Sequence, residues 1–549
     1  MTRDPRYDIL FQPVKIGPVT TRNRFYQVPH CTGMGWVRPR TVAEMRSVKA
    51  QGGWGVVCTE YCSIHPASDD QLHISASLWD DSDIRAQRLM TDKVHEHGAL
   101  AGAELWFGGA RSANLATRLV SIDVASRPNS VGHPFQSRAM DRSDIRDLRR
   151  WHRNAALRAK AAGFDIVYVY ATHDYLLSNF LDREANTRTD EYGGSLENRT
   201  RLIRELIAET KDAVGDRCAV AVRFSADESE GEDGQPIFGE RREMFAMMAE
   251  MPDLWDINIT DYSLEMGASR FVTEGALEPY MNWVRTVTTK PVVTVGRFTS
   301  PDTMVRMVKS GITDLIGAAR PSIADPYLPN KIAEGRLEDI RECIGCNVCY
   351  SGDSLSVPIR CTQNPTMGEE WRRGWHPEKI ASRGSDTQVL VVGAGPAGLE
   401  AARALGARGY RVALAEAGRV PGHLMGLGIT LVTAHGLGWF DGLTVTLACE
   451  NSGREHSLAA TGLVVVGQRA PVDDLYHALR NAGGVGSTLP FTLARIGDCE
   501  APAIIAAATF AGHLYAQELD RAVDIDMPMQ HEKVDVGTIL PAAWAAAAE

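Results

Sequence analysis

Eight short apolar or β-branched runs recur between residues 20 and 320, each followed by a polar loop and an amphipathic helical stretch. Continuous apolar strands that alternate with helices are typical of a parallel sheet buried on both faces. Eight of them over this length predict an α/β fold whose N-terminal part, residues 1–335, is a closed (β/α)₈ TIM barrel. The runs are RFYQVP (24–29), GVVCTE (55–60), ALAGAEL (99–105), DIVYVY (165–170), CAVAVRF (218–224), LWDINIT (254–260), PVVTVG (291–296) and TDLIGA (313–318).

Polar residues follow the predicted strands at the end where barrel enzymes carry their active sites. Any one of them has an ordinary explanation as a solvated loop residue or a structural ion pair, but together they predict a site on one rim. Tyr170 and His173 are candidates for a proton-handling pair. Cys31, after a histidine, is a candidate activated thiol, with a small buried thiol as the alternative. The rim positions are Cys31, Glu60, Tyr61, Glu104, Trp106, Tyr170, His173, Arg223, Asp261, Gly296, Arg297 and Arg320.

Four cysteines cluster in residues 336–380 with the spacing C-x2-C-x2-C-x11-C: Cys343, Cys346, Cys349 and Cys361. Three thiolates spaced two residues apart, with a fourth brought back by a short excursion, can bind the corners of an iron–sulfur cubane. Structural zinc is the alternative, although zinc is more often held by paired CxxC halves. The spacing favours a [4Fe–4S] cluster, whose function is one-electron transfer.

A second fold is predicted beyond a polar linker at residues 376–388. The stretch VLVVGAGPAGLEAARALGARGYRVALAEAG predicts a strand, a glycine turn, a helix and a second strand. Gly393, Gly395 and Gly398 would admit a pyrophosphate to the helix N-terminus, and Glu416 would accept from a ribose hydroxyl. The alternative is a Rossmann-like half kept only for packing. Residues 386–535 are assigned to this dinucleotide-binding domain and 536–549 to a flexible tail.

Composition and charge exclude several classes of partner. A net charge of −11 leaves no basic stripe for nucleic acid. The N-terminus has no apolar h-region, and no apolar run is long enough to span a bilayer. The remaining six cysteines are scattered, which makes a disulfide framework improbable. We therefore expect a cytoplasmic protein without a membrane anchor.

Long motifs along the chain resemble one known group of enzymes. They include RNRFYQVPHC, GGWGVVCTEYCSIHP, DIVYVYATHDY, RTDEYGGSLENR, ARPSIADPYLP, CIGCNVC and VVGAGPAGLEAAR. Over roughly residues 5–425, and more loosely over 490–535, the chain resembles the trimethylamine dehydrogenase group. That group, with dimethylamine and histamine dehydrogenases, belongs to the wider Old Yellow Enzyme and 2,4-dienoyl-CoA reductase superfamily.

The resemblance implies FMN in the barrel and [4Fe–4S] on the four cysteines. Cys31 matches the cysteine that forms a 6-S-cysteinyl bond to the flavin. Arg223 matches the arginine beside flavin N1 and the C2 carbonyl, and Glu104 matches a flavin-contacting position. The positions that match the FMN phosphate site are Gly296, Arg297 and Arg320.

The substrate side departs from the group. Tyr170 and His173 match two members of its Tyr-His-Asp set, and either Glu265 or Asp261 stands in for the third. Of the aromatic bowl that binds trimethylamine by cation–π attraction, only Tyr61 matches. Asp353 replaces a tryptophan, as in histamine dehydrogenase, and a carboxylate favours a cation that carries N–H donors.

These features predict a dehydrogenase for a primary, secondary or N-methylated amine. Electrons would pass through the cluster to a one-electron acceptor such as an electron-transferring flavoprotein, and a homodimer is expected. About 125 residues follow the glycine-turn unit and hold no second glycine fingerprint, so the C-terminal domain is shortened and would bind ADP or FAD at most. The alternatives are an NAD(P)H-dependent enoate or 2,4-dienoyl-CoA reductase, and a non-catalytic electron-relay or scaffold subunit.

Overall fold

The chain forms two compact units, one of Met1–Ala381 together with the described residues beyond Arg521, and one of Ser382–Arg521. The computed structural model describes residues 3–70, 73–112, 114–130, 135–231, 235–267, 271–386, 388–392, 395–415, 435–449, 452–459, 470–482, 489–522, 529–530 and 532. Within these residues, no helix is both long enough and apolar enough to cross a membrane.

The predicted barrel is confirmed. Eight strands pair in parallel around a closed sheet, and closure occurs because the first strand pairs with both the second and the eighth. Each lies on a predicted run, although the second extends three residues further and the first, sixth, seventh and eighth are shorter. The strands are β1 Phe25–Gln27, β2 Val56–Ser63, β3 Leu100–Trp106, β4 Ile166–Ala171, β5 Ala219–Ser225, β6 Leu254–Asn258, β7 Val292–Thr294 and β8 Leu315–Gly317.

Helices and turns connect the strands on the outside of the barrel. The longest helix, Arg142–Ala162, begins with a capping box between Asp141 and Asp144 and ends at Gly163, whose φ of 98° suits a residue without a side chain. The other helices of this unit are Pro39–Gln51, Ser82–His95, Leu176–Leu181, Leu196–Val214, Arg241–Met248, Tyr262–Gly267, Glu278–Met281, Pro301–Lys309, Arg320–Ala324, Leu328–Ala333, Val348–Ser354 and Glu370–Arg373.

Short elements complete this unit. The 3₁₀ turns are Pro5–Phe11, Gly35–Val37, Gly109–Arg111, Val284–Thr286 and Leu337–Asp339. The short strands are Val14–Ile16, Val19–Thr21, Ala76–Ser77, Ile122–Asp123, Arg127–Pro128, Gln136–Ala139, Ser229–Glu230 and Pro236–Ile237. Of these, Ala76–Ser77 extends the barrel sheet in parallel beside β2.

Two hydrophobic cores follow from the alternation of side chains along each strand. Ile166 and Tyr168 of β4 point into the barrel, where the Tyr168 hydroxyl donates to that of Tyr26 at 2.5 Å. Val167 and Val169 of the same strand point outward into the larger core beneath the helices. The strands are therefore apolar on both faces, which explains why they read as continuous apolar runs.

The cysteine-rich segment, residues 336–380, packs against the first barrel helix, Pro39–Gln51. Met45 of that helix forms a small apolar cluster with Met34 and Ile359, and Cys349 and Cys361 pack against this cluster. The four cysteines are therefore held by the same compact unit as the barrel.

The second unit contains a parallel pair of strands, Gln388–Val392 and Arg411–Ala415, joined through the helix Pro396–Ala407. The helix Ile505–Glu518 packs on that helix, and His513 bonds to Glu400 across the contact at 2.7 Å. This unit also has an antiparallel sheet of His435–Phe440, Thr444–Cys449 and Glu455–Ala459, a helix Asp474–Ala482 and a 3₁₀ turn Gly497–Cys499.

Candidate active site

A cavity of about 1010 Å³ opens at the mouth of the barrel, at the carboxyl ends of the strands. Asp353 reaches this cavity from the cysteine-rich segment. Of the other predicted rim residues, Trp106 lies behind Tyr61, with ring centroids 4.7 Å apart. The predicted site residues in the cavity wall are Cys31, Tyr61, Glu104, Tyr170, His173, Arg223, Gly296, Arg297, Arg320 and Asp353.

Arg223 places a buried positive charge at the base of the cavity. Its guanidinium donates to Glu104 at 2.9 Å, to the side-chain oxygen of Asn258 at 2.9 Å and to the carbonyl of Pro29 at 3.3 Å. Burial raises the pKa of Glu104 to about 7, although the charge of Arg223 acts in the opposite direction. Because its orientation is fixed by three acceptors, Arg223 can stabilise negative charge on a ring bound above it.

A hydrogen-bonded chain runs along one wall of the cavity. Tyr170 Oη lies 2.8 Å from His173 Nδ1, and His173 Nε2 lies 3.1 Å from Glu265. Burial acts to raise the pKa of Glu265, but the charge and hydrogen bond of His173, with Arg223 and Asn258, hold it at about 2. Since an ionised carboxylate only accepts, His173 Nε2 donates to Glu265. Whenever the ring carries no second proton, its Nδ1 accepts from the Tyr170 hydroxyl.

Of the two carboxylates left open by the sequence, Glu265 completes this chain. Asp261 instead accepts from the backbone N–H groups of Ser263 and Leu264 and from the Ser263 hydroxyl, at the start of the helix Tyr262–Gly267. One turn along the same helix, Glu265 faces the cavity. Both oxygens of Glu265 accept from Asn258, at 3.0 and 2.9 Å, so that its orientation is set before any ligand binds.

Tyrosines supply the aromatic walls of the cavity. Tyr175, Tyr262 and Tyr350 line the cavity together with Tyr61. The Tyr262 and Tyr350 rings lie 5.6 Å apart, and those of Tyr61 and Tyr175 lie 6.4 Å apart. These three residues are not among the predicted site residues, although Tyr175 follows His173 by two positions and Tyr350 directly follows Cys349. Several aromatic faces in one cavity suit a cationic ligand.

Asp353 gives the cavity a negatively charged end. Its side chain is buried, and Oδ1 has no hydrogen-bond partner among the described residues. Burial raises the pKa of Asp353 to about 6, against the opposing charge of His73 and a backbone N–H. A second carboxylate, Asp70, accepts from the Tyr61 hydroxyl, and burial and the charge of Asp353 raise the pKa of Asp70. Asp70 was also missed, because it lies in a loop well beyond the end of β2.

Residues at the ends of β7 and β8 also line the cavity. A Cβ on Gly317 would lie 2.5 Å from the Thr294 carbonyl oxygen, and one on Gly296 would lie 2.7 Å from the Phe298 ring. Two arginines here reach the cysteine-rich segment: Arg297 donates to the carbonyl of Cys343 at 2.8 Å and Arg320 to Asn347 at 2.6 Å. Two glycines whose positions leave no room for a side chain, together with two arginines, suit a phosphate group.

All four clustered cysteines line one smaller cavity of about 290 Å³. Within the described part of the chain, no three His, Cys, Asp or Glu side chains form a group that could hold a single metal ion. Four cysteine side chains around one cavity can supply the ligands of a cluster of several metal atoms. Cys349, Arg320 and Ile323 line both this cavity and the larger one, so that the two sites share a wall.

The nucleotide fingerprint can be followed only in part. Gly395 precedes the helix Pro396–Ala407 as its N-cap, with space around it for a Cβ, and Gly398 is buried within that helix. Gly393 and Glu416 lie outside the described residues.

Comparison with known families decides the classification. The profile of the NADH:flavin oxidoreductase / NADH oxidase family matches residues 9–339, which span the whole barrel. The chain belongs to this family. FMN is the cofactor of the family. Active sites of barrel enzymes lie at the carboxyl ends of the strands, where this cavity opens.

The relatives confirm the resemblance to amine dehydrogenases. The chain is 46% identical to dimethylamine dehydrogenase from Hyphomicrobium sp. (strain x) over 427 residues, which are 76% of this chain and 58% of that protein. It is 31% identical to NADH oxidase from Thermoanaerobacter brockii over 74% of this chain and 63% of that protein. The chain therefore spans about 58–63% of the length of these curated relatives.

Among solved structures, histamine dehydrogenase from Rhizobium sp. 4-9 is similar over 97% of this chain and 100% of that one. Its TM-score is 0.87 at 36% identity. The structure of 6-hydroxypseudooxynicotine amine oxidase from Pseudomonas geniculata N1 gives a TM-score of 0.86 at 37% identity, over 94% of this chain and 100% of that one.

The glycine at the end of β8 can be tested by its effect on flavin retention. We expect the purified Gly317→Ala protein to have incorporated less flavin per chain, because the new Cβ must displace the Thr294 carbonyl beside the cavity. Gly406→Ala is the control, since a Cβ at Gly406 has no neighbour within 4 Å. Full flavin content in Gly317→Ala would show that this close approach does not shape the cofactor site.

Proposed function

We propose that this protein is an amine dehydrogenase for a cationic amine that carries N–H donors. The observation that carries the proposal is that one cavity holds both the Tyr170–His173–Glu265 chain and the Asp353 carboxylate, whose Oδ1 has no hydrogen-bond partner among the described residues. The first can hold the substrate cation, and the second can move its proton. Similarity to dimethylamine and histamine dehydrogenases supports the same reaction class.

Substrate binding would use the tyrosines and the carboxylates together. Ring faces are offered to a cation by Tyr61, Tyr175, Tyr262 and Tyr350. Asp353 adds a hydrogen-bond acceptor, which favours an ammonium that has more N–H groups to donate than a fully methylated one. Tyr61 is itself oriented by its hydrogen bond to Asp70. A primary or secondary amine, or an N-methylated amino acid, therefore suits this cavity better than trimethylamine.

The proton of the bound ammonium must leave before the C–N bond can be oxidised. His173 can take it through Tyr170, since the histidine Nδ1 accepts from that hydroxyl, and the ionised Glu265 stabilises the imidazolium that forms. FMN, when bound, would accept a hydride equivalent from the neutral amine, that is, two electrons and the proton of the C–H bond. The resulting iminium would add water and release an aldehyde with ammonia or a smaller amine.

The cofactor contacts are part of the proposal. Cys31 would carry FMN through a 6-S-cysteinyl bond, with Arg223 and Glu104 beside the ring. The phosphate would lie at Gly296, Arg297 and Arg320.

The electrons would leave through the cysteine cluster. Cys343, Cys346, Cys349 and Cys361 would hold [4Fe–4S], which passes electrons singly to an acceptor such as an electron-transferring flavoprotein. The shared wall at Cys349 supports this route. We further propose a homodimeric, cytoplasmic enzyme whose second unit binds ADP or FAD at the turn before Pro396.

Anaerobic reduction of the purified protein tests the reaction. Dimethylamine, histamine and N-methylated amino acids are added in turn, then NADH and NADPH, and flavin absorbance is followed. We expect bleaching by an amine and none by the nicotinamides. Bleaching by NAD(P)H alone would replace the proposal with an enoate or dienoyl-CoA reductase, and a purified protein without flavin would favour an electron-relay or scaffold role.

Asp353 can be tested through KM. Asp353→Asn should raise KM for a primary amine about 10- to 100-fold, because a hydrogen bond to a charged group contributes roughly 1.5–3 kcal/mol. Since the pKa of Asp353 is about 6, the parent KM should fall as the pH rises through that value, and the variant should lack this step. Asp174→Asn is the control, with its carboxylate about half exposed. An unchanged KM in Asp353→Asn would remove the role proposed for this residue.

Glu265 can be tested through turnover. We expect Glu265→Gln to lower kcat by about a hundredfold or more, within the usual range for general acid–base groups, because His173 loses the anion that stabilises its charged form. KM should change little. Asp261→Asn, at the start of the same helix, should keep near-normal turnover. The reverse ranking would identify Asp261 as the third member of the chain.

A further inference from the structure

Two tyrosines of the cavity wall, Tyr61 and Tyr175, have different groups behind them. The hydroxyl of Tyr61 donates to a side-chain oxygen of Asp70. The ring of Tyr61 packs on that of Trp106, with the centroids 4.7 Å apart and the planes inclined by 35°. Trp106 is not part of the cavity wall, so it lies on the far side of the Tyr61 ring. Tyr61 is therefore held in one orientation, with its hydroxyl on an acceptor and one face on another ring.

The group behind Tyr175 is a cation. The guanidinium carbon of Arg111 lies 5.6 Å from the centroid of that ring, within the distance at which a cation and an aromatic face attract each other. Tyr175 lines the cavity and Arg111 does not, so the guanidinium lies on the outer side of the ring. An arginine stays protonated throughout the pH range in which enzymes work. The outer side of Tyr175 therefore carries a permanent positive charge.

The charge of Arg111 is only weakly compensated. Arg111 Nη2 lies 3.5 Å from an oxygen of Asp174, whose side chain is about half exposed, and an ion pair of this kind contributes little. The Nε of Arg111 is buried and has no hydrogen-bond partner among the described residues. The charge therefore acts on the Tyr175 ring and, at longer range, on Asp70, whose pKa it lowers.

The two rings must differ as binding sites for a cation. A phenol that donates a hydrogen bond gains electron density on its oxygen and ring, which increases the attraction of the ring face for a cation. This effect does not require an ionised Asp70: burial raises the pKa of Asp70, but a protonated carboxyl group still accepts hydrogen bonds. A ring with a guanidinium on one face attracts a second cation less, because the two cations repel each other.

We propose that Asp70 and Arg111 are positioning residues that place the substrate ammonium against Tyr61 rather than Tyr175. The inference rests on the proposed function, because it needs a cationic substrate in this cavity. Asp70 acts through Tyr61 and Arg111 acts through Tyr175, so neither has to touch the substrate. The ammonium then lies between the Tyr61 ring and Asp353, which lines the same cavity.

Binding of tetramethylammonium tests this inference. The ion has a permanent charge and no N–H group to donate to Asp353, so its affinity reports mainly on the ring faces. Its Kd is measured from the change in flavin absorbance when the oxidised holoenzyme is titrated. Asp70→Ala should raise this Kd about threefold or more, and Arg111→Met should lower it by a similar factor. The opposite signs distinguish the inference from a loss of packing, which would weaken binding in both variants.

Two further variants test whether Asp70 acts through its hydrogen bond. Asp70→Asn keeps an acceptor for the Tyr61 hydroxyl, so it should recover most of the affinity lost in Asp70→Ala. Tyr61→Phe removes the same hydrogen bond from the other side and measures its effect even if Asp70→Ala does not fold. Tyr61→Phe combined with Asp70→Ala should weaken binding no more than either change alone, because both remove one interaction.

Arg118→Met is the charge-matched control for Arg111→Met. Arg118 is exposed and lies between the 3₁₀ turn Gly109–Arg111 and the strand Ile122–Asp123. Its replacement removes the same charge from the same part of the chain, and the Kd of tetramethylammonium should equal that of the parent protein.

An unchanged Kd in both Arg111→Met and Tyr61→Phe, or a change of the same sign in the two, would overturn the inference. The proposed function would stand in that case, provided that an amine still bleaches the flavin. Failure of every amine to bleach the flavin would overturn the proposed function instead, and the tetramethylammonium titrations would still decide whether the two rings differ.

Discussion

Closure of the barrel is the constraint on which the active site depends. Tyr26 of β1 pairs with Gly317 of β8 on one side and Val56 of β2 on the other. Because all eight strands are parallel, their carboxyl ends form a single ring, and residues far apart in sequence meet there. Arg223, which lies in β5, thus donates to the carbonyl of Pro29, which follows β1 and lies two residues before Cys31. A gap at β1 and β8 would separate the proposed phosphate site from the ring site.

The sequence predicts the parts of this arrangement that depend on local pattern. Buried parallel strands must be apolar on both faces, so runs such as DIVYVY are recognisable, and topology then places the residues that follow them at one rim. The choice between Glu265 and Asp261 could not be made this way. Both carboxylates flank the same short helix, and only its geometry shows that Asp261 caps the N-terminus while Glu265 meets His173.

The missed residues share a physical reason. Tyr175, Tyr350 and Asp70 lie in loops or on a short helix, where no periodicity indicates which way a side chain points. The tyrosines also occupy positions other than those at which the resembled group has its tryptophans. The cavity shows that an aromatic enclosure can be built from other positions, provided that the rings surround the same volume. Residue-by-residue matching finds the same residue type at the same position, but it does not find an aromatic surface that is built from other positions.

Two charged groups of the cavity have partners, Arg223 with Glu104 and His173 with Glu265, whereas Asp353 Oδ1 has no hydrogen-bond partner among the described residues. Arg223 can stabilise negative charge on a bound ring, whereas Asp353 in the same cavity wall favours a cation. Under the proposed function, an amine would be bound there as a cation and oxidised only after it had lost its proton. Tyr170 and His173 line the same cavity, where that proton could be accepted. Binding and oxidation would then use two protonation states of one substrate, and the Tyr170–His173–Glu265 chain would connect them.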